Sequence, residues 1–163
     1  MATAIISVGS NLGEKHRNCR RGIRDLDALP TTAVTRRSRF YRTSPVDFSD
    51  QDWFVNAAVE IRTVLGPFDL LEALLAIQAR HGGKQSVHRF GPRHLDMDLV
   101  FFDDRILRSD RLTIPHPRMD KRRFVLQPVC DIDPGIVHPV FRKTVAQLLA
   151  DLADDAQEIM EIQ

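Results

Sequence analysis

Apolar and polar positions along the chain alternate between two periods. Residues 3–8 are almost wholly apolar and stop at "GSNLG", a Gly/Ser/Asn turn, which predicts a first strand. Over 14–29 the apolar positions Cys19, Ile23, Leu26 and Leu29 recur at helical spacing on an otherwise basic segment that Pro30 ends. Residues 33–41 mix β-branched, aromatic and charged side chains, the pattern of a strand with one wet face, and "TSPVDFSDQD" (43–52) is a loop by composition. "FVNAAVEIR" (54–62) alternates cleanly: Val55, Ala57, Val59 and Ile61 take one face, Phe54, Asn56, Ala58 and Glu60 the other. A helix opened by Pro67 is predicted over 67–80. The polar loop that follows, 81–94, holds three glycines and a proline and is long enough to point to function.

"RFGPRHLDMDLVFFDD" (89–104) reads in its second half as a buried strand, yet it contains Asp96 and Asp98. A turn at "DDR", a short strand near Ile106, a loop with a short helix over 114–129, and a helix over 144–155 with an acidic tail complete the pattern. Strands alternate with helices while some join as hairpins. That predicts a single α+β domain over 1–163, with helices packed on a mixed or antiparallel sheet.

Composition removes several classes. With 163 residues, 43% hydrophobic and 28% charged, the chain suits one ordinary globular core. A net charge of +1 gives no bulk attraction to nucleic acid or membrane, and no apolar stretch is long enough to span a bilayer. The N-terminal apolar run is too short for a signal peptide and charge follows rather than precedes it, so a cytoplasmic protein is expected. Cys19 and Cys130 lie in no paired motif, which argues against a disulfide framework or zinc knuckle. The skew of 19 Arg against 4 Lys fits biased codon usage or a demand for guanidinium forks on phosphate or carboxylate.

The aspartates carry the sharpest chemical signal. Residues two apart on a strand face the same side, about 6.6 Å apart along the backbone. Asp96 and Asp98 therefore project together, with Leu95, Met97 and Leu99 on the opposite face and Val100 and Phe102 continuing the aspartate face. Two such carboxylates repel unless a cation lies on or between them. Oxygen donors suit Mg²⁺, held by one or two carboxylates plus substrate phosphates, or two metals roughly 3.5–4 Å apart. A lone strand aspartate is more often simply solvated; a pair behind an arginine- and glycine-bearing loop favours metal. Arg89 and Arg93 precede the pair, and Arg111, His116, Arg118, Lys121, Arg122 and Arg123 follow it, a grouping suited to polyphosphate. "HGGKQS" is not a P-loop, because Gln78 stands at its first glycine position and Gln85 where Ser or Thr must bind metal. Phe54, Asn56 and Phe124 offer rings and an amide for a flat heterocycle, although core packing is the commoner fate of Phe.

"RFGPRHLDMDLVFF" closely resembles the signature of the 6-hydroxymethyl-7,8-dihydropterin pyrophosphokinases of folate biosynthesis. "ISVGSNLG", "FYRTSPV", "FVNAAVEI" and "LTIPHPRMDKRRFVLQPV" resemble further blocks of that family in the same order. The resemblance implies a ferredoxin-like sheet with flanking helices in α/β/α layers, and transfer of pyrophosphate from ATP to the pterin hydroxymethyl oxygen with release of AMP. It implies two Mg²⁺ ions on Asp96 and Asp98, and ATP contacts from Phe90, Arg93, Arg111, Thr113, His116 and Arg122. It implies a pterin pocket of Thr43, Val46, Phe54, Asn56 and Phe124. The partners would be these small molecules, with no nucleic acid or membrane; a monomer is expected, a weak dimer being the other possibility. The departures cluster: Gln78 replaces a usual glutamate, and Gly83 and Gln85 stand at two usual loop arginines. Lys84 and Arg89 are then the candidate catalytic cations of that loop beside Arg93. A divergent paralogue that binds ATP or pterin with weak activity, or acts on a related pterin, is the alternative.

Overall fold

In the computed structural model, residues 1–45, 52–82, 93–152 and 157–162 are described. The central unit runs β1 (Ala2–Ser10), α1 (Lys15–Asp27), β2 (Thr32–Arg37), β3 (Phe40–Thr43), β4 (Phe54–Thr63), α2 (Pro67–Gly82) and β5 (Asp96–Phe102). With the C-terminal strand β8 (Ile159–Ile162), the strand order is β5-β1-β4-β3-β8, with β2 also on β4, and every pairing in this sheet is antiparallel. With β2 and β3 counted as one interrupted strand, this is the βαββαβ order of a ferredoxin-like sheet. The expectation of a mixed or antiparallel sheet resolves to antiparallel among the described strands.

Alternation places the two cores. Ala4, Ile6 and Val8 of β1 and Val55, Val59 and Ile61 of β4 meet Ile23 and Leu26 of α1 and Leu70, Leu74 and Ile77 of α2. Ile5 and Ala58 face the other way, against α3 (Arg123–Ile132) and α4 (Val145–Ala150). The sheet is thus covered on both faces, giving the expected α/β/α layers. α1 needs no capping side chain, because Cys19, Gly22, Ile23 and Leu26 make a buried stripe that ties it to the sheet. α4 is short and starts with a capping box, Thr144 and Gln147 each accepting the other's backbone N–H.

Three local expectations are corrected. The strand expected over 33–41 is two strands. Ser38 interrupts it, donating its N–H to the Ala58 carbonyl at 2.9 Å and accepting the Ala58 N–H on Oγ at 2.8 Å. A β-bulge breaks the register of β5 on β1: Ile5 pairs Phe101 and Ile6 pairs Leu99, leaving Val100 as the extra residue. Val100 and Phe101 therefore pack on the α3 side, while Phe102 turns to the opposite core with Met97 and Leu99. The C-terminal helix ends at Ala150, and a further strand, β8 (Ile159–Ile162), pairs with β3. The short strand near Ile106 is β6 (Leu107–Arg108), paired with β7 (Thr113–Ile114); a 3-10 turn, Met119–Lys121, leads into α3.

Candidate active site

The register puts the candidate residues in one row. Asp96 of β5 lies opposite Gly9 of β1, Gly9 opposite Asn56 of β4, and Asn56 opposite Tyr41 of β3. Directly paired residues share a sheet face, so Asp96 and Asn56 look the same way from strands two spacings, about 10 Å, apart. Gly9 leaves the floor between them bare. It also makes room, because a Cβ there would stand 2.6 Å from Asn56 Oδ1.

Asp96 and Asp98 share this face, with Met97 3% exposed behind them. Burial and the neighbouring Asp98 push the Asp96 carboxyl up to about 7, against the pull of Arg93 and Arg122. Burial also raises Asp98, opposed by Arg122, Arg93 and Arg118. The pair thus needs positive charge to be fully ionised. Arg93 supplies some of it, its Nη1 lying 3.3 Å from Asp96 Oδ1. Its backbone is fixed by Asn11: Arg93 N–H donates to Asn11 Oδ1 at 2.8 Å, and Asn11 N–H donates to the Arg93 carbonyl at 3.0 Å. The strand between the acids is fixed by Gln78 of α2, whose Oε1 accepts the Met97 N–H at 2.8 Å.

His116 belongs to the same cluster. Its N–H donates to the carbonyl of Val100, the bulged residue, at 3.0 Å, and its Nδ1 accepts the Arg118 N–H at 3.2 Å. Burial, then Arg122 and Arg118, lower the imidazole to about 4, so it is neutral near pH 7 with its proton on Nε2. On the far side of Gly9, Asn56 Nδ2 donates to the fully buried Thr43 Oγ1 at 2.6 Å. Phe124 carries the Arg122 guanidinium 5.3 Å from its ring centre, which links the aromatic to the arginine–aspartate cluster.

The structure therefore brings together Arg93, Asp96, Asp98, His116, Arg122 and Phe124 on one side, and Thr43 and Asn56 on the other. Phe54 begins β4 and pairs with Thr43. Thr113 lies on β7, directly before the cis Ile114–Pro115 pair. Arg111 is turned elsewhere: it pairs with Glu72 of α2, and its guanidinium stands 5.7 Å from the Phe68 ring centre. Val46, Lys84, Arg89 and Phe90 lie outside the described residues, as do Gly83 and Gln85. Sequence reading missed Asn11 and Gly9, and named Arg118 only within the basic group, whereas its charge acts on Asp98 and His116. Only the "GSNLG" block hinted at Asn11, and it was read as a turn.

A metal fits the donor set in one way. Among the described residues no group of three or more His, Cys, Asp or Glu is arranged for an ion. Asp96 and Asp98 supply two hard-oxygen donors, a set that suits an ion completed by water and by the oxygens of a substrate. That donor set, with the surrounding guanidinium groups, is the chemistry of a site for a phosphorylated substrate, of the kind phosphotransferases build.

The model of the 7,8-dihydro-6-hydroxymethylpterin-pyrophosphokinase (HPPK) family matches residues 5–134, and the chain belongs to that family. A 2-amino-4-hydroxy-6-hydroxymethyldihydropteridine pyrophosphokinase of Methylorubrum extorquens is 38% identical over 161 residues, spanning 99% of this chain and 100% of the relative. The Bacillus subtilis protein of the same name is 40% identical over 129 residues, 79% of this chain and 77% of its own length. The solved structure of wild-type Plasmodium falciparum HPPK-DHPS is similar in fold, with a TM-score of 0.69 over 92% of this chain at 15% identity. The chain spans 43% of that longer protein. No helix among the described residues is long and apolar enough to cross a membrane.

Proposed function

We infer that this pyrophosphokinase transfers the β,γ-diphosphate of ATP to the hydroxymethyl oxygen of 6-hydroxymethyl-7,8-dihydropterin, with the aspartate pair as its transfer centre. The observation that carries the residue roles is the row Asp96–Gly9–Asn56 on one sheet face. It separates a phosphate-facing end from an amide-bearing end by about 10 Å of bare floor. The pterin hydroxyl attacks the β-phosphorus, the bond to the α-phosphate oxygen breaks, AMP leaves, and the hydroxyl proton is released.

Asn56, held by Thr43, reads the polar edge of the pterin, and Phe54 and Phe124 stack on the ring, with Val46 closing the pocket. Arg93, Arg118 and Arg122 bind phosphate oxygens, and neutral His116 donates from Nε2. Thr113 and Phe90 contribute ATP contacts; Arg111 does so once it leaves Glu72. Lys84 and Arg89 supply charge from the segment before Arg93. Asp96 and Asp98 would hold two Mg²⁺ ions, which would supply positive charge to the triphosphate. The enzyme is expected to act as a cytoplasmic monomer. The alternative of a weakly active paralogue or one acting on a related pterin rests on Gln78, Gly83 and Gln85; Gly83 and Gln85 lie outside the described residues, and no observation favours that alternative.

Steady-state AMP release at varied ATP and pterin tests these roles. Asp98→Asn lowers kcat by about 10²-fold or more, while Asn56→Ala chiefly raises the pterin KM. Unchanged parameters in both variants overturn the assignment.

A further inference from the structure

The C-terminal strand is attached at the pterin pocket. β8 pairs with β3 from Phe40↔Ile162 to Thr43↔Ile159. The ladder continues one residue further, where Ser44 N–H donates to the Glu158 carbonyl and Glu158 N–H donates to Ser44 Oγ, both at 3.0 Å. The next residue, Gln157, turns inward and is 8% exposed. Its Oε1 accepts the Phe124 N–H at 3.1 Å, and its Nε2 donates to the Ser44 carbonyl at 2.5 Å.

One buried amide therefore spans two walls of the pocket. Ser44 directly follows Thr43, the partner of Asn56, and Phe124 is the ring beside Arg122. A backbone N–H at the start of a helix has no partner within the helix. Phe124 lies in the first turn of α3, and Gln157 satisfies its donor from across the pocket. The family match ends at residue 134, so this contact comes from a part of the chain outside it.

We propose that Gln157 is a positioning residue for pterin recognition: by bridging Phe124 and Ser44 it fixes the spacing between the stacking ring and the Thr43–Asn56 wall. This rests on the pterin reading of that pocket. Phosphate binding is served by β5, the His116 segment and Arg122, whereas the hydrogen bonds of Gln157 go to Phe124 N–H and the Ser44 carbonyl. The two substrates should therefore respond differently to its removal.

Two variants test this. Gln157→Ala removes both bonds. Gln157→Glu keeps an acceptor for Phe124 and replaces the donor facing the Ser44 carbonyl with a second oxygen. The readouts are the KM values for pterin and ATP, kcat and thermal melting, with the wild type in the same assay. Expected is a rise in pterin KM of about tenfold for Gln157→Ala, as for loss of buried hydrogen bonds, with the ATP KM within about twofold of wild type. Gln157→Glu is expected to fold and to show the same selective rise, and it carries the test if Gln157→Ala fails to fold. Equal rises in both KM values, or lowered melting with both KM values unchanged, mark a purely structural residue and overturn the proposal. If the wild type does not use the pterin at all, the functional reading fails instead, and the variants are not needed to show it.

Discussion

Replacing Gly9 with alanine tests the idea that a bare floor separates the two halves of the site. The added Cβ would stand 2.6 Å from Asn56 Oδ1 and 3.6 Å from Asn56 Cγ. Contacts under 3.0 Å are not tolerated, so the Asn56 amide must move, and its 2.6 Å bond to Thr43 must lengthen or break. Asn56 is 3% exposed, which leaves water poor access to repair that loss. Overpacking of this kind costs about 1–3 kcal/mol of stability. Losing a buried hydrogen bond and the reading of the pterin edge costs about 1–3 kcal/mol of substrate binding, a rise in pterin KM of roughly 5- to 150-fold. The three atoms nearest the added Cβ belong to Asn56 and Val55, not to Asp96 or Asp98, so the ATP KM should stay near wild type. AMP release at varied pterin and saturating ATP, with thermal melting as the stability control, provides the measurement. A Gly9→Ala enzyme that folds and keeps the wild-type pterin KM would refute the placement of Asn56 in the pterin site.

Removing the acceptor beneath the acids, Gln78→Leu, leaves the Met97 N–H without Oε1; melting should fall by the equivalent of about 1–3 kcal/mol, with a drop in kcat as the carboxylates lose their alignment, and unchanged kcat would show that Gln78 is not positional. Asn11→Ala removes the acceptor of the Arg93 N–H while keeping the backbone bond to the Arg93 carbonyl, and is expected to raise the ATP KM more than the pterin KM, checked by the same kinetics. The pH dependence of stability has an unusual sign. The folded Asp96 holds its proton up to about 7 against an ordinary 3.8, so its contribution is present at low pH and lost as pH rises from about 4 to 7. One third of the side chain meets solvent, so water screens the effect, and roughly 1–2 kcal/mol is expected. Relative to Asp96→Asn, the metal-free protein should lose melting temperature over that range and regain it with Mg²⁺; parallel curves would contradict the assignment.

Much of this arrangement is legible from local pattern. The alternation of 54–62 placed Asn56 and Ala58 on the correct face, and the two-residue spacing paired Asp96 with Asp98, because a strand's period is independent of its partners. What escaped depends on pairing. The bulge at Val100 turns Phe101 towards α3 and Phe102 away from it, and nothing in "LVFF" marks it; it exists only in the register against Ile5 and Ile6. The four residues of β8 are too few to announce a strand, and they become one by meeting β3. Asn11 and Gln157 act on partners 82 and 33 residues away, beyond any motif window. Residues of the 83–92 segment were prominent in the sequence, and their contribution is a matter for kinetics.

Phosphorus NMR of the products formed from ATP, Mg²⁺ and 6-hydroxymethyl-7,8-dihydropterin tests the transfer centre most directly. The wild type should give AMP and pterin diphosphate in equal amounts, and Asp96→Asn and Asp98→Asn should each give about a hundredth as much or less while still binding pterin. Formation of ADP, or AMP at wild-type rates from either variant, would contradict the assignment of the aspartate pair to pyrophosphate transfer.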